Sequence, residues 1–140
     1  MICGKCNGSG KKCRACGSTG IADGTGDISL HEAAHVVAAR EMGATRVRAR
    51  LLTRPNRRGW SGWTSYRIDG DRKRDEAVIV LAGDVAAKGS SPDDQKTARK
   101  LLRGSGTSLK EARKAAENLV RENRREIERT ARRLRRRGRI

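Results

Sequence analysis

Apolar residues recur at helical spacing along most of this chain, interrupted by one stretch of strand-like alternation. Residues 28–42 carry Ile28, Val36, Ala39 and neighbouring Ala and Val positions on an apolar side, and Gly43 stands where such a helix would stop. Residues 46–53, RVRARLLT, alternate basic and apolar and predict a strand. The turn-rich RPNRRGWSGWTSY leads into a second strand bearing Trp60, Trp63 and Tyr66, and Asp69–Asp71 make a further turn. Residues 72–88 contain the β-branched run Val78-Ile79-Val80-Leu81, but their length and Ala-rich continuation favour a buried helix. Ser91 then reads as an N-cap, with Pro92 as first helical residue and Asp93 and Asp94 on the first turn. Ser108 and Glu111 form a capping box. Beyond it Leu109, Ala112, Ala116, Leu119, Asn123, Ile127, Ala131 and Leu134 predict one long amphipathic helix, about 45 Å if continuous.

This order implies an α+β fold, mostly helical, with a small β-sheet and a long C-terminal helix. Two parts are expected: a cysteine-rich segment over residues 1–26 and a folded domain over 27–140 that ends in a basic amphipathic helix. Composition narrows the core. The 140 residues include no Phe and only 2% aromatics, so packing must come from Ala, Val, Ile and Leu. No apolar run is long enough to span a bilayer and the start is not a signal peptide, so a cytoplasmic protein without a membrane is expected. The net charge of +17, with Arg outnumbering Lys by 24 to 9, attracts nucleic acid and other polyanions. The excess peaks in the terminal RRLRRRGRI, which reads as a basic tail rather than a shaped groove.

All four cysteines lie in CGKCNGSGKKCRACGSTG, as Cys3-x-x-Cys6 and Cys13-x-x-Cys16. Two residues between cysteines let both thiolates turn onto one metal, and two such knuckles complete a tetrahedral zinc site. Disulfides need an oxidising compartment that nothing here indicates, and a redox pair needs a thioredoxin-like setting. CGKCNGSG resembles the C-x-x-C-x-G-x-G repeat of the DnaJ-type cysteine-rich domain, and CRACGSTG fits it more loosely. The resemblance implies a zinc-binding module and leaves its ligand open.

The only histidines, His31 and His35, fall in SLHEAAHVVA. Four residues apart on a helix, they share a face and can offer two imidazole nitrogens to one ion. Glu32 sits beside the first and can take a proton from a water that zinc activates for attack on a carbonyl. The competing reading makes Ser29 and Glu32 a capping box and the histidines ordinary surface residues. A zinc site would need a third ligand, a carboxylate or thiolate.

HEAAHVVAAREMGA resembles the zinc protease domain of the FtsH-type membrane AAA proteases, whose motif reads H-E-A-G-H. Further segments are similar in the same order. VRARLLTRPNRRGWSGWTSY looks like the family's strand, turn and second strand. VIVLAGDVAAKG looks like its LLAGRAAEE helix, SSPDDQKTARKLL like its D-L-x-x-A segment, and ARKAAENLVRENRREIERTARRL like its terminal helix. The resemblance covers roughly residues 28–137. It implies a zincin-like H-E-x-x-H fold with zinc on His31, His35 and Asp94, Asp93 being the alternative one register away, and Glu32 as general base. It also implies an extended polypeptide substrate added alongside the second strand.

Two departures stand out. Ala34 replaces the motif's Gly, and Ala87 replaces a Glu, which removes a carboxylate from the surroundings of the metal. No ATPase motif is present, so a separate unfoldase or an already flexible substrate is expected. The leading expectation is a stand-alone zinc endopeptidase with one catalytic and one structural zinc. The alternative is a non-catalytic basic zinc-ribbon protein that binds nucleic acid. Oligomeric state is not legible.

Overall fold

Helix α1 (Thr25–Glu41) is the element around which the others assemble. The computed structural model describes residues 25–51, 62–87 and 92–140. Strands β1 (Thr45–Leu51) and β2 (Gly62–Arg67) follow α1, then helices α2 (Lys73–Ala86), α3 (Pro92–Leu102), α4 (Leu109–Glu122) and α5 (Arg124–Arg137). The fold is α+β and mostly helical. The four cysteines, Trp60 and Ser91 lie outside the described residues, as do the expectations attached to them.

Helix α1 ends where Gly43 predicts. Gly43 adopts φ +78°, its N–H donates to the Arg40 carbonyl, and the Ala44 N–H reaches back to Ala39. This is the paired closure that a left-handed residue permits. The helix is not an amphipathic surface element, however. Every residue from His31 to Ala39 is buried, because α2, α5 and the sheet pack around it. A helix apolar on all sides belongs in an interior, and its Ala and Val side chains let neighbours approach closely. Val36, Val78, Ile79, Leu81 and Leu134 are among the most deeply buried side chains, giving the aliphatic core that the lack of Phe requires.

The strands pair antiparallel, with Ala49 opposite Thr64 and Arg50 opposite Trp63. One extra β1 residue between Thr45 and Arg48 forms a bulge, where Arg46 takes φ +51°. The far side of β1 is also occupied. Ala49 exchanges backbone hydrogen bonds with Ile140, and the Leu51 N–H donates to Gly138. The arginine-rich terminus is therefore built into the fold, not a free tail. Residues 73–86 are helical, as their length and Ala content predict.

The expected single C-terminal helix is corrected. It divides at Asn123 (φ −109°, ψ 18°), whose side-chain amide and backbone N–H both donate to the Leu119 carbonyl. Asn competes for backbone hydrogen bonds in this way and caps more readily than it continues a helix. The two halves also pack on different partners, α4 on α2 and α5 on α1. A straight rod could not satisfy both. Ser108 caps the start of α4, its Oγ accepting from the Glu111 N–H at 3.1 Å, which is one half of the expected capping box.

Candidate metal centre

Two helices bring three donor groups together. His31 and His35 project from consecutive turns of α1, and Asp94 comes from the first turn of α3. Asp94 Oδ2 lies 2.8 Å from His31 Nε2 and 3.2 Å from His35 Nε2, and the two Nε2 atoms are 2.9 Å apart. The rings meet edge to face at 87°, so both Nε2 atoms can point at one spot without stacking. Asp93 is exposed and takes no part in this cluster.

The tautomer of His35 is fixed by its other nitrogen. Nδ1 lies 2.8 Å from the Ile79 carbonyl oxygen. A carbonyl only accepts, so Nδ1 carries the proton, and in the neutral ring the Nε2 lone pair faces Asp94. Metal-ligating histidines are commonly oriented by such a second hydrogen bond. Bonds of about 2.0–2.1 Å from one tetrahedral zinc would set three such donors about 3.3–3.4 Å apart. The observed triangle of 2.8, 2.9 and 3.2 Å would open by about half an ångström at its shorter edges to take such an ion. Two imidazoles and one carboxylate are also a donor set suited to zinc.

Electrostatics bind the cluster without an ion. Burial alone would lower the pKa of His35. The Asp94 hydrogen bond, the charges of Glu32 and Asp94, and the Ile79 carbonyl outweigh burial and raise it. Burial would likewise raise Asp94, but hydrogen bonds from His31 and His35 and their charges hold it well below the usual carboxylate range. A cation held by these donors would compete with the proton on His35.

Glu32 is buried beside His31, and it is not a cap. The helix starts at Thr25, so Ser29 lies within it, fully buried, with its Oγ accepting from Arg135 on α5 at 2.8 Å. Glu32 Oε2 instead accepts a 2.5 Å hydrogen bond from the Thr64 hydroxyl on β2. That contact crosses from helix to sheet and fixes the carboxylate's direction.

Several residues that shape the site carry no motif in the sequence. A Cβ at Gly83 on α2 would fall 2.6 Å from His35 Cε1 and Nε2 and 2.8 Å from His31 Cε1. A glycine inside a helix costs about 1 kcal/mol relative to alanine; here it allows the α2 backbone to lie directly against both rings. A Cβ at Gly62 would come 2.8 Å from Glu32 Cγ. Next to Gly83, Asp84 is almost fully buried and its Oδ2 accepts from Gln95 on α3 and Arg113 on α4, each at 3.2 Å. It ties the helix that carries Asp94 to α2. The Glu missing at Ala87 thus has a buried carboxylate one turn away. The one sequence cue to any of these was glycine within a helical pattern, at Gly83.

No protein-family model matches the chain, and neither curated proteins nor solved structures provide a match. Among the described residues no helix is long and apolar enough to cross a membrane.

Proposed function

We propose that the chain is a zinc-dependent endopeptidase of the FtsH type. The observation that carries this reading is the convergence of His31, His35 and Asp94 within hydrogen-bonding distance of one another, with the Glu32 carboxylate one residue from the first donor.

Zinc on these three donors would polarise a substrate carbonyl and make a water acidic enough to lose a proton near neutral pH. Glu32 would accept that proton as the water oxygen attacks, then deliver it to the departing amine. Thr64 holds one carboxylate oxygen, which limits rotation and leaves the other for the proton. His35 is kept in its productive tautomer by Ile79. The free edge of β2 has no strand partner among the described residues, so an extended peptide can add there through backbone hydrogen bonds. Thr64 lies on that strand, so a peptide held there would be close to the proposed base.

The deciding experiment is digestion of an unstructured peptide by the zinc-loaded full chain and by Glu32→Gln. Loss of general-base catalysis should lower kcat on the order of 10²–10⁴-fold while zinc stays bound. Cleavage by the variant at the parent rate would remove Glu32 from the mechanism.

A further inference from the structure

The two faces of the sheet differ in chemistry. Gly62, Thr64 and Tyr66 of β2 turn inward toward α1, while Trp63, Ser65 and Arg67 are exposed. On β1, Ala49 and Leu51 are buried, and Arg48 and Arg50 are exposed. Register places Arg50 directly opposite Trp63 and Arg48 opposite Ser65. Arg139 pairs with Arg50 from the other side, so Arg139, Arg50 and Trp63 form one row across three neighbouring chain segments. Trp63 is 46% exposed and is the one large hydrophobic side chain so exposed among the described residues. Among those residues Arg48, Arg50 and Arg139 make no ion pair, and Arg67 has only a 3.5 Å contact with exposed Asp69.

We propose that this outer face is a docking surface for single-stranded nucleic acid. Guanidinium groups without carboxylate partners fit phosphate oxygens through their planar forks. The exposed indole offers a face on which a base can stack, whatever its identity. Side chains two apart on one strand face are separated by about 6.8 Å and neighbouring strands by about 4.8 Å, a grid on which successive nucleotides can be held. An acidic peptide would satisfy the arginines but would leave the indole unused. The net charge of +17 supplies long-range attraction to a polyanion. This surface is on the opposite side of the sheet from Glu32 and Thr64, so its occupancy does not depend on the peptidase reading.

The test uses fluorescence anisotropy of a short labelled single-stranded oligonucleotide with the full, zinc-loaded chain, over a range of salt concentrations. Trp63→Ala should weaken binding roughly ten- to a hundredfold at an unchanged thermal midpoint, and Trp63→Phe should recover most of it. Replacing Arg48 and Arg50 with Gln should lower the salt slope by about one for each phosphate that is no longer neutralised. Replacing the outward Arg132, Arg133, Arg136 and Arg137 of α5 with Gln should leave the Trp63→Ala ratio unchanged. Equal binding by wild type and Trp63→Ala would overturn the proposal. So would duplex binding as tight as single-strand binding, or displacement of the oligonucleotide by polyglutamate to the same extent in wild type and Trp63→Ala.

Discussion

The region around His31 and the outer face of the sheet lie close in the chain yet follow opposite rules. Around the histidines the chain uses Ala, Gly and Val, buries its few ionisable groups, and gives the key polar atoms defined partners: Nδ1 of His35 to Ile79, Glu32 to Thr64, Asp94 to both imidazoles. On the outer sheet face it presents Arg48 and Arg50, which make no ion pair among the described residues, and an exposed indole. Buried charge must be paired and aimed, because an unpaired group there is costly. Exposed charge can be left unpaired, since water solvates it until a polyanion arrives. The same strand serves both, with Thr64 facing inward and Trp63 outward. A buried polar cluster and a charged surface therefore need not occupy separate domains.

This contrast can be broken from the buried side first. Gly83→Ala should have the largest effect. Its methyl would press on both rings, and such overpacking typically costs 1–3 kcal/mol. We expect zinc affinity to fall on the order of tenfold or more, read by chelator competition, even though alanine by itself favours a helix. Undiminished affinity would mean that the α2 backbone does not hold the rings in place. Thr64→Val comes next. Losing one hydrogen bond to a carboxylate should slow peptide cleavage roughly three- to tenfold, leave zinc binding intact and be rescued by Thr64→Ser. A variant with the parental rate would show that Glu32 needs no such support.

The smallest effect is on pH dependence. The pKa of His35 is raised from 6.5, so its contribution to the stability of the metal-free protein is complete below that value and is lost as pH rises through the folded-state pKa. Asp94 is lowered from 3.8, so its contribution is present above that value and is lost on acidification. In chelator, the thermal midpoint should therefore peak between these limits and decline on the alkaline side. Zinc competes with the His35 proton, so zinc affinity should rise over the interval in which that midpoint declines. A flat metal-free profile would show that the cluster holds no shared proton.

The grouping of both imidazoles and the glutamate was legible because the three lie within five consecutive residues. Asp94 was reached only by family resemblance, since nothing local marks it as more than an acid at a helix start. Thr64 was not legible, and Gly83 showed only as a glycine inside a helical pattern, because their roles come from contacts between elements far apart in sequence. The break at Asn123 was hidden for another reason. Leu119, Asn123 and Ile127 keep the helical spacing unbroken through it, and only the separate docking of α4 on α2 and α5 on α1 requires the bend. Helix α1 was recognised as a helix but not as an interior one, since an apolar side and an apolar circumference differ mainly in what surrounds them. The Arg139–Arg50–Trp63 row depends on strand register and on the return of the chain terminus beside β1, neither of which periodicity encodes.

The central claim is that His31, His35 and Asp94 hold a single ion. Elemental analysis of zinc per chain in the wild type and in Asp94→Ala, both confirmed as folded by circular dichroism, tests this without reference to the cysteines or to any substrate. We predict one zinc fewer per chain in the variant. Equal zinc content in the two proteins would contradict the site.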